Sequence, residues 1–332
     1  MIDPLFTHGG PDATGAAPHD FSTNANACGP CPAALAAVMA ADASRYPDPQ
    51  STLLKAQLGV FHGVDPARIV VAASASEFIL RITAAVAQGG GQRVGLPAHS
   101  YGDYERAAQA WQLAVVRDAG AVQTADLVWC CDPSSPLGQT PPGLVAALEA
   151  AAGQGAWVLD RAYSPLRLQG SAALNAAQCD GLWQLWTPNK ALGLTGVRAA
   201  YAIAPVSGAD ALQARIERLA PSWPLGAHGA ALLDAWTGDA TQGWLQESLD
   251  TLRRWKALQI DLLGELGWIC LASDANFFCA RPPEPYGTFA GALRAKGIRL
   301  RDCTSFGLPG HVRLGVLAPL SQQALRDALR SG

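Results

Sequence analysis

Short apolar runs recur through the middle of the chain, at residues 68–72, 93–96, 126–130, 157–159, 182–186 and 199–204, with helical stretches or turns between them. None alternates polar with apolar residues, which is the pattern of strands covered on both faces. Strand and helix in alternation predict an α/β fold in three layers, a mostly parallel sheet with helices on each side. From 228 to 266 a helical period takes over. Shorter strand candidates follow at 268–272 and 277–281, then a helix near 287–296, two further strands and a final helix over 321–331. This change of rhythm predicts a smaller α+β domain at the C-terminal end. Near the start, 32–43 opens on a proline and reads as a helix, ended before Tyr46-Pro-Asp-Pro.

With 332 residues, 49% of them hydrophobic, the chain can bury a large core and is not disordered. Lys+Arg of 24 against Asp+Glu of 27 gives a net charge of −3, so neither a nucleic-acid backbone nor an anionic membrane surface is an expected partner. No apolar run reaches the roughly 20 residues of a spanning helix, and the opening MIDPLFTHGG lacks the features of an export signal, so a cytoplasmic location is expected. In such a compartment the 8 cysteines should be reduced and mostly buried. Lysine is scarce: Lys55, Lys190, Lys256 and Lys296 are the candidates for any amine chemistry.

In open α/β sheets the chemistry lies beyond the carboxyl ends of the strands. Three strand-following turns carry unusual residues: Asp132-Pro-Ser-Ser-Pro-Leu-Gly138, Asp160-Arg-Ala-Tyr163, and Thr187-Pro-Asn-Lys190 with Arg198 eight residues on. A lysine in such a turn suits an amine that must meet an aldehyde, glycines in its loop let backbone approach a ligand, and the arginine offers forked donors to a phosphate. Taken alone, the two cations could equally be solvated, Asp160 a turn former and Tyr163 a core aromatic. Ser74-Ala-Ser-Glu77 has capping-box spacing, and a helix N-terminus is also a phosphate cradle. Cys28-Gly-Pro-Cys31 spells a dithiol motif, but the segment before it is polar and irregular, which argues against a thioredoxin-type site. The histidines lack metal-ligand spacing, so no metal is expected.

Read in order, Tyr46-Pro-Asp-Pro, Ser74 to Glu77, Asp132 to Gly138, Asp160 to Tyr163, Thr187 to Lys190 with Arg198, and Ser305-Phe-Gly-Leu-Pro-Gly-His-Val-Arg313 resemble the fold-type-I pyridoxal-phosphate enzymes, the aspartate aminotransferase superfamily. Within it, Thr7-His-Gly-Gly10, Asp20-Phe-Ser-Thr-Asn-Ala-Asn26 and Arg301-Asp-Cys-Thr-Ser-Phe306 resemble the threonine-phosphate decarboxylases of cobalamin synthesis, relatives of histidinol-phosphate aminotransferase. The resemblance implies an N-terminal segment (1–45) contributing to the small domain and active site, a large cofactor-binding domain (46–230) and a small C-terminal domain (231–332).

It also implies roles. Lys190 would anchor pyridoxal 5′-phosphate and move protons, Asp160 would pair with the ring nitrogen, and Tyr163 would bond the ring hydroxyl. Tyr101 would stack on the ring, with His99 or Tyr104 as fallbacks. Ser74, Ala75, Ser76, Thr187 and Arg198 would hold the phosphate, with Tyr46 from a partner subunit in a homodimer with shared active sites. Arg313 assisted by Asn26 would take the substrate carboxylate, and His8 and Arg301 a second anion. The chain departs from the family pattern at Ser135, where an asparagine is usual, at Asn189 before the lysine, and at Arg161 after the aspartate. The activity implied is decarboxylation of L-threonine O-3-phosphate; the competing reading is an aminotransferase for a phosphorylated amino substrate such as histidinol phosphate.

Overall fold

The computed structural model describes residues 9–151 and 153–330. The chain opens with a short strand, β1 (His19–Asp20), and the helices Pro32–Ala40 and Thr52–His62. It then lays down β2 (Ile69–Ala72), β3 (Arg93–Gly95), β4 (Ala114–Val116), β5 (Leu127–Cys131), β6 (Ala156–Asp160), β7 (Trp183–Trp186) and β8 (Ala200–Ile203). These form one seven-stranded sheet in the order β2-β8-β7-β6-β5-β3-β4. The pairs β3·β4, β3·β5, β5·β6 and β6·β7 are parallel, whereas β8 runs antiparallel to both β2 and β7.

Each strand side chain chooses a face by its parity. Leu127, Trp129, Val158 and Trp183 pack with the helices Ala75–Gln88 and Gly102–Ala110 on one face. Val128, Cys130, Trp157 and Leu159 take the other, joining Leu144 of the helix Leu144–Ala151. Helices on both faces leave no central strand half-solvated, which is why β5 and β8 are apolar and buried throughout; the edge strand β2 is buried as well. The edge strand β4 was not among the expected runs; at three partly exposed residues it is too short to leave a pattern.

Beyond the sheet, the helical stretch expected over 228–266 is two helices, Ala227–Trp236 and Asp239–Glu265, because Gly238 takes an extended conformation and starts the second one. The helix expected over 32–43 stops at Ala40, where Ala41 turns extended. Then come β9 (Ile269–Cys270), β10 (Phe277–Arg281), β11 (Ile298–Arg299), β12 (Arg301–Asp302), β13 (Val312–Gly315) and the closing helix Pro319–Arg330. An antiparallel sheet in the order β12-β13-β10-β9 results, and β11 pairs in parallel with β1. Residues 9–24 thereby reach the small sheet and return: Asp12 meets Arg294 and Arg299, and Gly315 donates its N–H to Phe21 O at 2.7 Å.

Candidate active site

At the carboxyl ends of the parallel strands lies a cavity of about 170 Å³, with walls drawn from both sheets. Ala75 and Ser76 follow β2, Tyr101 follows β3, Ser135 follows β5, Asp160 and Tyr163 close β6, and Thr187, Asn189 and Lys190 follow β7. Arg198 enters from the start of β8, whose reversed direction brings its N-terminal end to this same edge. The small sheet adds Arg301, Ser305, Phe306 and Arg313, and the N-terminal segment adds Gly9, Ser22, Thr23 and Asn24.

Asp160 is 5% exposed. Its Oδ1 accepts the N–H of Ala162 at 2.8 Å and its Oδ2 the hydroxyl of Tyr104 at 2.6 Å. Burial nevertheless holds its pKa above the usual carboxylate range; the bond from Tyr104, the Ala162 N–H and the charge of Lys190 pull the other way. A desolvated carboxylate in this position gains most from a cationic partner in front of it. Lys190 projects into the same space, its Nζ 5.2 Å from the centre of the Tyr163 ring. Tyr163 is buried against Phe277, and its hydroxyl accepts from Asn24 Nδ2 at 3.3 Å.

The turn after β2 caps the helix Ala75–Gln88 at Ser74, with the reciprocal bond of a capping box shifted by one residue to Ala73. Ser74 Oγ accepts from the Glu77 N–H at 3.1 Å and Glu77 accepts from Ala73 N–H at 3.2 Å. The first helical amides that follow have no intrahelical acceptor and open at the cavity wall through Ala75 and Ser76. Ser74, expected at the phosphate, is not among the cavity-lining residues; its hydroxyl accepts the Glu77 N–H as the helix cap. Thr187 lines it and donates to Asn189 Oδ1 at 2.9 Å, while Asn189 Nδ2 reaches the carbonyls of Val197 and Thr195. Asn189 thus braces the lysine loop from inside.

On the opposite wall, Arg313 is 7% exposed; its Nη1 donates to Ser135 Oγ at 3.3 Å and its Nη2 to Ser22 O at 3.2 Å. Its Nε is buried without a hydrogen-bond acceptor. Arg301 stands directly across the antiparallel ladder from Arg313 and so projects from the same face. It donates to Ser305 Oγ at 2.6 Å and lies 4.8 Å from the Phe306 ring centre. Burial, and next the neighbouring Arg313, lower Arg301 to about 10, which still leaves it charged at neutral pH. Among the described residues lining the cavity, Lys190, Arg198, Arg301 and Arg313 face a single carboxylate, Asp160.

Several expected residues stand elsewhere. Asn26 does not face the cavity: its amide donates to Ala191 O and Ser248 Oγ, and its Oδ1 accepts the Cys28 N–H, so it ties the N-terminal turn to the lysine loop. Asn24, two residues earlier, is the asparagine on the wall, and its Oδ1 is buried without a partner. Of the two, only Asn26 was expected from the sequence; Asn24 was missed, since only the turn geometry separates them. Tyr46 is 77% exposed, stacked on Trp223 outside this chain's own cavity. His8 lies outside the described residues. Tyr101 lines the cavity, whereas His99 bonds to Phe306 O away from it. Neither loop glycine is among the cavity-lining residues: Gly193, at φ +66°, is packed where an added Cβ would sit 2.6 Å from Gly29 O, and Gly196 has no atom within 4 Å of such a Cβ. Cys28 and Cys31 are free thiols, the latter N-capping the helix Pro32–Ala40.

The doubly wound sheet, the lysine turn and the second small sheet define the fold of the fold-type-I pyridoxal-phosphate enzymes. The sequence model of the aminotransferase class I and II family matches residues 18–331. The chain belongs to that family and is an enzyme. It is 30% identical to a histidinol-phosphate aminotransferase of Ruegeria pomeroyi, over 94% of this chain and 90% of the relative. Among solved structures it resembles histidinol-phosphate aminotransferase from Sinorhizobium meliloti in complex with pyridoxal 5′-phosphate, at TM-score 0.79 and 22% identity over 93% of this chain and 90% of the other. L-threonine-O-3-phosphate decarboxylase from Porphyromonas gingivalis follows at TM-score 0.77 and 20% identity, over 94% and 98%. No helix among the described residues is long and apolar enough to cross a membrane.

Proposed function

We propose that the protein is a pyridoxal-5′-phosphate-dependent aminotransferase acting on a small phosphorylated amino substrate of the histidinol-phosphate kind. The observation that carries this is the charge asymmetry of the cavity, four cations against one carboxylate, divided between two walls. Lys190, Asp160 and Arg198 stand on the large-sheet wall and suit the cofactor; Arg301 and Arg313 stand on the small-sheet wall and suit an anion on the substrate. The curated relatives named histidinol-phosphate aminotransferase support the substrate class.

The residues fit the cofactor on the structure's own terms: a buried carboxylate with no cation bonded to it, a helix N-terminus at the wall and an amine lining the same cavity. When bound, the cofactor supplies an electron sink for a carbanion at the substrate's α-carbon. Asp160 pairs with the ring nitrogen and Tyr163 with the ring hydroxyl. Ala75, Ser76, Thr187 and Arg198 hold the phosphate, and Tyr101 covers the ring. Lys190 Nζ would anchor the cofactor and would carry the proton to and from the substrate's α-carbon. Arg313 holds the substrate's anion in a forked pair, Arg301 reinforces it, and Phe306 excludes water at the same wall.

A second copy of the chain completes the phosphate site through Tyr46. Leu53 and Val60, 82% and 85% exposed and seven residues apart on the helix Thr52–His62, supply an apolar face for that contact. A cytoplasmic location suits the eight unpaired thiols.

Decarboxylation of L-threonine O-3-phosphate is the second reading. It is favoured by the segment 301–306, which resembles the decarboxylases and puts Arg301, Ser305 and Phe306 on the cavity wall. Incubation of the holoenzyme with each substrate decides. Amine transfer from L-histidinol phosphate that requires a keto acid supports the first reading; carbon dioxide release from threonine phosphate without a keto acid replaces it with the second.

A further inference from the structure

We propose that Tyr104 is a positioning residue of the reaction, one whose hydroxyl orients Asp160 and keeps it an anion in front of the cofactor's ring nitrogen. The inference rests on the cofactor assignment proposed above and goes beyond it.

Tyr104 is 1% exposed and sits on the first turns of the helix Gly102–Ala110. Its ring stacks at 4.4 Å and 9° on Trp129, itself 1% exposed, and meets Tyr101 edge-on at 5.7 Å. Packed against both rings in the close-packed interior, the side chain directs its hydroxyl at Asp160 Oδ2, 2.6 Å away. The other carboxylate oxygen is held at 2.8 Å by the Ala162 N–H, from a different element. Two donors on two sides stop the carboxylate from turning, so one edge is presented to the cavity. A tyrosine that merely filled core space would have no need of the hydroxyl; here that group bonds to the one carboxylate among the described lining residues.

The titratable groups around Asp160 are Tyr104, Lys190, Cys130 and Cys131. Burial, and next the charge of Asp160, push Tyr104 far above its ordinary range, so it stays a donor at every working pH. Burial pushes both thiols up as well, which leaves them protonated. On the acid side it is therefore Asp160 that gains a proton, and the bond from Tyr104 opposes that gain.

The test is pyridoxal 5′-phosphate binding to the apoprotein, followed by its visible absorbance across pH. Tyr104→Phe is expected to weaken binding about tenfold, the size of one hydrogen bond to a charged group, and to move the acid-side loss of binding to higher pH. In an Asp160→Asn background the same change should have no further effect. Equal weakening in both backgrounds would show that Tyr104 only fills space, and unchanged binding in the single variant would show that its hydroxyl is idle; either result overturns the inference. Circular dichroism of each variant checks the fold. If the unmutated chain takes up no cofactor, the assignment beneath the inference fails instead, and the two failures are told apart by that control.

Discussion

Arg313→Lys isolates the fork from the charge. The Arg313 guanidinium has five donors; one on Nη1 goes to Ser135 and one on Nη2 to Ser22, while Nε has no acceptor. Nε and the remaining N–H groups suffice for a two-point contact with a phosphate or carboxylate. Lysine keeps the positive charge but offers only one well-aligned bond to the same anion. The loss is then one charge-assisted hydrogen bond, about 1.5–3 kcal/mol, or roughly 10- to 150-fold in kcat/KM. The assay compares L-histidinol phosphate with L-histidinol at a fixed keto-acid concentration. The phosphorylated substrate should lose that factor and the unphosphorylated one almost nothing, so the ratio between them collapses. An equal loss for both, or a loss below about threefold for the phosphate, would refute the reasoning that this side chain reads the anion.

Other outcomes follow from the same geometry. Lys190→Ala should abolish the visible absorbance of the holoenzyme and lower turnover by about 10²–10⁴, whereas Cys28→Ser should leave the spectrum intact. Gly193→Ala should cost about 2–5 kcal/mol in denaturant unfolding, since a left-handed φ and a Cβ 2.6 Å from the Gly29 carbonyl both oppose it; Gly196→Ala, with no atom within 4 Å, should stay within about 0.5 kcal/mol. His62, buried and beside Arg161, is held down at about 4 from an ordinary 6.5. Below pH 6.5 the unfolded chain takes a proton that the folded one refuses, so stability should fall towards pH 4 by up to about 3 kcal/mol. His62→Gln should flatten that fall in urea midpoints measured from pH 7 to 4.

The parallel strands were legible because burial on both faces leaves uninterrupted apolar runs, and the turns beyond them because Asp160 and Lys190 are costly residues to place beside such runs; Arg313, inside an antiparallel strand, was reached only through the family resemblance. The three-residue edge strand β4 left no such mark. Local spacing also could not separate Asn24 from Asn26, since what divides them is contact with Ser248, more than 200 residues away. Ser74 shows a different limit: its capping spacing was legible, but the cap places it at the helix start outside the cavity lining. Tyr104 stood among the fallbacks for stacking, because its pairing with Asp160 across 56 residues exists only once the helix is docked on β5 and β6.

Arg301 and Arg313 share one rung of the ladder between β12 and β13, while the amine and the carboxylate belong to the parallel sheet. A one-residue slip in the pairing of those two strands would turn one arginine to the other face of the small sheet and out of the cavity, without disturbing Lys190 or Asp160. Substrate choice in this architecture can therefore drift through the register of one strand pair, with the bond-breaking apparatus inherited intact.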